Sequence, residues 1–320
     1  METPQQVPED GASPEPEPEP ELEALVVASG SRPTTSDEAA AVLERFLRET
    51  VPPIFDLDPT MDVRGFDAAR VTAHPLAGDL VGLDLDFSGL EVTLDPTVVD
   101  TPPAPDFPAF GTEVSRADAK VAEVRARALP IRIQDVDVDA TVTATGVHVD
   151  WAEDDLGQLA LALKRGTAGG EAVTVFPVDA LSIDLSAQQQ AVSDAVAKLV
   201  QESAASQGFS VPRLEIGLTQ AGPRGVHVHV SGKVKRGLLG ASLLFSTEAQ
   251  LGDDLKLRLL KPALTSHNPI IGLLLLAVRK QVREELKDPI DLRDLQLDPL
   301  KLDDVQFEVG ERLRLRLDYK

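Results

Sequence analysis

The sequence predicts an α+β protein: highly curved antiparallel β-sheets wrapped around long apolar helices, arranged as two helix-plus-sheet halves. Three observations lead there. Long windows alternate apolar and polar residues with period two, as half-buried strands do. Some of those windows slip register mid-run, which is what a β-bulge produces, and bulges bend sheets. Between them lie helix-spaced segments, and one of these, the run Ile270 to Val278, has no wet face at all.

Residues 1–35 hold eight acids against one arginine, with a Glu-Pro repeat from Glu15 to Glu21. Such a segment buries too little apolar surface to offset the entropy of ordering, so a disordered acidic tail is expected. Ser36 then starts a helix: Asp37 and Glu38 sit in its first turn, Val42, Leu43, Phe46 and Leu47 follow at helical spacing, and Pro52-Pro53 end it. Strands come next. Leu83/Leu85/Phe87 shifts around Ser88-Gly89 into Leu90/Val92/Leu94, and Ile131/Ile133 shifts at Gln134-Asp135 into Val136/Val138/Ala140/Val142. Between these two windows, Val114 to Arg127 fits a helix through Val114, Ala117, Val121 and Val124, although its latter half also alternates.

The second half, 186–320, repeats the grammar of 36–185. Ser186 with Gln189 forms an S-x-x-Q capping pattern, followed by Val192, Ala195, Val196, Leu199 and Val200 and a stop at Gly208. Leu214/Ile216/Leu218, Val226/Val228/Val230, Leu243 to Leu251 and Leu255/Leu257/Leu259 alternate with polar residues, as do Val305/Phe307/Val309 and Leu313/Leu315/Leu317. Asn268-Pro269 is a strong helix start, because Asn caps well and proline lacks only an N–H that would be orphaned there. Asp288-Pro289 closes that helix. Its nine-residue apolar run is too short to cross a bilayer, which takes ~20 residues.

The 320 residues carry a net charge of -22, spread unevenly: 28 acids and 11 bases in 36–185, but 17 and 19 in 186–320. Scarce basic clusters and 4% aromatic residues argue against nucleic-acid binding. Without cysteine there is no disulfide framework, thiolate metal site or lipid-anchoring cysteine. Met1 is not followed by a basic and then an apolar stretch, so the expected compartment is the cytoplasm, or the cell envelope if an export signal is missing.

Chemistry-bearing patterns are sparse. His227 and His229 share a strand face, but no third metal ligand is suggested. Asp135, Asp137 and Asp139 mimic the start of a calcium loop, yet Ala140 stands where Gly is needed and Gly146 where Glu is needed. The nucleophile-elbow, P-loop, dinucleotide and zinc-protease motifs are all missing, so neither an enzyme nor a cofactor is expected.

The stretch Gly225-Val-His-Val-His-Val-Ser-Gly-Lys-Val-Lys-Arg-Gly-Leu-Leu-Gly is followed by Leu243 to Leu259, the Asn268 helix and closing strands to Leu317. Here the chain resembles the tubular lipid-binding (TULIP) superfamily. Within it, the second half looks most like bacterial cell-envelope phospholipid-binding proteins of an originally uncharacterised domain family. The first half resembles them only in architecture. The resemblance implies a long apolar helix inside a curved sheet, with lipid chains between them.

Pattern and resemblance together name Ile271, Leu274, Leu275 and Val278 on the helix as lining residues, with Val228, Leu243, Phe245 and Leu257 on the strands. Lys233, Lys235, Arg236, Arg279 and Lys280 are candidates to receive an anionic head group. The expected partner is a lipid or other hydrophobic small molecule, with transient contact to a membrane surface. The competing expectation is a structural or interaction protein with a filled core and an acidic partner-binding surface.

Overall fold

The computed structural model describes residues 24–55, 60–76, 78–94, 108–168, 171–174, 178–206, 208–236, 239–266, 288–295, 297 and 300–320. The chain opens with β1 (Ala24–Ser29), α1 (Ser36–Glu49) and the short α2 (Val51–Phe55). It continues through β2 (Met61–Arg64), β3 (Arg70–Pro75), β4 (Val81–Asp86), β5 (Glu91–Leu94), β6 (Glu113–Asp118) and β7 (Val121–Ile133). Then come β8 (Val136–Thr145), β9 (Val149–Asp154), β10 (Gln158–Leu163), β11 (Arg165–Ala168), β12 (Glu171–Thr174) and β13 (Ala180–Gln188). After α3 (Gln189–Ser206) follow β14 (Ser210–Gln220), β15 (Gly225–Arg236), β16 (Leu239–Leu251), β17 (Lys256–Ser266), β18 (Ile290–Asp291), β19 (Leu302–Val309) and β20 (Arg312–Tyr319).

Three larger sheets carry the fold. A four-stranded sheet runs β1-β10-β9-β6, a nine-stranded sheet has the spine β19-β20-β13-β8-β7-β4-β3, and a five-stranded meander runs β14-β15-β16-β17-β18. The nine-stranded sheet is not purely antiparallel, because β4 and β5 both pair with β7 in parallel. A bulge between Ala128 and Ile131 lets one strand serve both partners. Opposite that bulge the β2–β3 and β4–β5 ribbon kinks at Gly65 and Gly89. Gly65 has φ 96°, and a Cβ there would lie 2.7 Å from the Gly89 carbonyl oxygen, so both backbone shape and space demand glycine.

The wrapped-helix architecture is overturned. Strand dominates, and among the described residues only α1 and α3 exceed two turns; neither is enclosed by a sheet. One sheet does curl into a half-barrel. The apolar faces of the sheets meet each other instead. Leu251, Leu255 and Leu257 of the meander pack with Val305, Tyr319, Leu181 and Ile183 of the nine-stranded sheet, around Leu300 and Leu302. A second core lies under α1, where Phe46 meets Val27, Trp151 and Leu159. The last hairpin, β19–β20, joins β13 and not the meander, so the large sheet draws strands from both halves of the sequence. The Asn268 helix lies outside the described residues, as do residues 1–23 of the tail.

Local departures have local causes. Residues 24–29, assigned to the tail by composition, form β1, which buries Val26 and Val27 against β10. Val114 to Arg127 is two strands: Lys120 turns the chain with φ 56°, and Asp118 accepts its N–H at 2.8 Å. Gln134 and Asp135, with φ 49° and 68°, form a two-residue hairpin turn and not a mid-strand bulge. The α1 cap is Thr35, one residue earlier than expected, with the full reciprocal box to Glu38. Ser186 caps nothing: it lies inside β13, and its Oγ accepts from Arg312 Nε at 2.8 Å.

Candidate functional site

Register places the apolar residues of the meander in rows across its strands. Ile216 lies opposite Val230, Val230 opposite Phe245, and Phe245 opposite Leu264. The adjacent rows are Leu218, Val228 and Thr247 on one side, and Leu214, Gly232 and Leu243 on the other. Directly opposed residues share a face, so these rows form one continuous apolar surface. A shift in β17, where Lys261 adopts φ 51°, moves that face from the Leu257/Leu259 phase to the Leu264 phase. Four predicted lining residues, Val228, Leu243, Phe245 and Leu257, are therefore brought together on one sheet.

Burial along β16 runs in one direction. Leu251, Ala249 and Thr247 are 3%, 9% and 6% exposed, whereas Phe245 and Leu243 are only half-buried. The first end is closed by the core shared with the nine-stranded sheet. There the Arg258 guanidinium, hydrogen-bonded to Asp254 at 2.5 Å, lowers that carboxyl to about 2. The other end opens beside α3. A shallow cleft of about 560 Å³ lies there, lined by Leu199, Val200, Ala204, Phe209, Val211 and Val234, and it meets the apolar face of β15 at Val234. Helix α3 borders it because only its small residues, Ser193 and Ala197, are buried, while Val196, Leu199 and Val200 remain 40–43% exposed. Gly208, with φ 77°, ends the helix and turns the chain into β14.

Lys233 and Lys235 stand at this open end, flanking Val234 on β15, and both are exposed. Strand alternation sends them to the face opposite Val234, so they border the cleft without lining it. Arg236 ends the same strand, its side chain outside the described residues. Ile271, Leu274, Leu275, Val278, Arg279 and Lys280 also lie outside them. His227 and His229 occupy the polar face of β15, and among the described residues no group of three His, Cys, Asp or Glu is arranged to hold a metal ion. No described helix is long and apolar enough to cross a membrane.

Sequence reasoning missed Phe209, Val211, Val234 and Leu264. The Lys261-Pro262 pair is a visible break in the β17 alternation and was the signal for Leu264; nothing in the sequence marks how far α3 rides off β14.

No protein-family model matches the chain, and no match was found among curated proteins or solved structures.

Proposed function

We propose that the protein binds a lipid acyl chain, or a similarly elongated apolar ligand, without chemical turnover. The ligand lies along the apolar rows of the meander, its inner end toward Leu251 and its outer end in the cleft beside α3. The supporting observation is the burial gradient along one continuous apolar sheet face, closed at one end and open at the other. Each CH₂ moved out of water gains ~0.8 kcal/mol before ordering costs, so a long chain binds with few polar contacts. Lys233 and Lys235, on the opposite face near the β15–β16 turn, bring positive charge to the end of the sheet where an anionic head group would remain.

Organic extraction and native mass spectrometry of the purified protein should reveal a stoichiometric lipid, and the emptied protein should take up a fluorescent fatty acid. Val234→Phe, which narrows the cleft, should reduce uptake while leaving Tm nearly unchanged. Repeated absence of bound lipid together with no uptake would overturn the proposal.

A further inference from the structure

A second opening shares no lining residue with the first. It is a cleft of about 470 Å³ between the first turn of α1, the β3–β4 and β6–β7 turns, and Trp151 on β9. Its floor is apolar: Trp151, Leu83 and Val121 are buried, and Val81 is half-buried. Three alanines, Ala39, Ala117 and Ala119, form its walls, so the space exists because these positions carry the smallest side chain with a Cβ. A volume of this size at the junction of two sheets falls in the range of small-molecule sites, roughly 300–1,000 Å³.

The rim is charged, and most of its charge is already matched. Lys120 pairs with Asp79 across the mouth, and Lys164 pairs with Asp118 at 2.9 Å. Arg32 is different. Its guanidinium forms no ion pair or hydrogen bond with a described residue, but its charge acts on nearby Glu153, whose carboxyl is held below the usual carboxylate range by Ser115 Oγ, by the Arg32 main-chain N–H and by that positive charge. The cleft therefore combines an apolar floor with one guanidinium whose donors make no hydrogen bond among the described residues.

We propose that this cleft binds a small amphipathic carboxylate, its hydrocarbon against Trp151 and Val81 and its carboxylate on Arg32. Each CH₂ placed on the floor should tighten binding roughly fourfold. A charge-assisted pair with Arg32 should favour the carboxylate over the neutral alcohol of the same length.

Trp151 is the chain's only tryptophan, so its emission reports on this cleft and on the α1 core that shares the ring. The test titrates the full chain with octanoate, octanol and octylammonium while following that emission. Octanoate should give a saturable shift, and octanol and octylammonium weaker ones. Arg32→Ala should weaken octanoate about tenfold and leave octanol unchanged. Ala119→Leu, or Ala117→Val if that variant folds poorly, should abolish the octanoate response. Val234→Phe, which narrows the opening beside α3, should leave it intact, so the two proposals fail independently. An emission that octanoate never shifts would overturn the assignment, as would a response unchanged in both Arg32→Ala and the alanine variants.

Discussion

Helices α1 and α3 both carry an apolar stripe, more sharply segregated in α1, and meet opposite fates. In α1, Phe46 and Ala40 are buried, and Val42, Leu43 and Leu47 pack on the Val27, Trp151 and Leu159 cluster. In α3 the buried positions are Ser193 and Ala197, and the larger Val196, Leu199 and Val200 face outward. Beyond that sharper stripe, the two differ in the number of surfaces that reach each helix. Helix α1 lies between the four-stranded sheet and β3, whereas α3 rests chiefly on β14. Helical periodicity selects which face is available for burial; tertiary structure decides whether anything arrives to bury it.

This contrast can be broken by mutation. Phe46→Ala should cost ~3–5 kcal/mol in urea unfolding, the cost of emptying a closed aromatic site. A loss below ~1 kcal/mol would mean that the α1 core is as open as the α3 side. At the end of β9, the strand that also carries Trp151, the Asp154 side chain is buried. Burial pushes its carboxyl up, but N–H groups of Gln158, Gly111 and Leu156 more than offset this and hold it below 3.8. Its contribution is present above the unfolded value and lost as pH falls through the lower folded value, because the unfolded state binds more protons there. Asp154→Asn should therefore lower Tm at neutral pH and flatten the acid limb of the stability curve; an unchanged acid limb would contradict this.

Thr35→Ala, which removes the acceptor for the Glu38 N–H, should cost ~1 kcal/mol in the same unfolding assay. Gly208→Ala should cost a similar ~1 kcal/mol, because alanine must adopt φ 77° at the end of α3. The smallest effect sharpens the comparison most. Leu199→Gln should change stability by less than ~0.5 kcal/mol, yet reduce uptake of a fluorescent fatty acid. A large loss of stability would show that α3 is buried after all.

The strands of the meander were legible because each has one wet face: Leu214/Ile216/Leu218 and Val226/Val228/Val230 alternate without interruption. What alternation cannot report is the partner. Leu313/Leu315/Leu317 reads the same whether β20 joins the meander or, as it does, β13. The 114–127 window stayed ambiguous between helix and strand because alanines and valines fit either period and the Asp118-Ala-Lys120 turn carries no glycine or proline. The Ser186 cap failed because a serine in a ladder and a serine before a helix look alike until Arg312 is seen to use it. Of the candidate site, the apolar strand faces were readable. The cleft beside α3 was not, since it depends on how α3 is seated and not on which residues it carries.

The pairing of β13 with β20 also favours a late step in assembly. Each strand from β14 to β17 pairs with its neighbour in sequence, so the meander can form from short loops. The partner of β13 arrives only after that whole region has been laid down, and distant pairings form slowly. Until then β13 is an uncovered edge of the kind that recruits other chains. The molecule's weak moment is therefore its refolding at high concentration, where losses should fall as the protein is diluted.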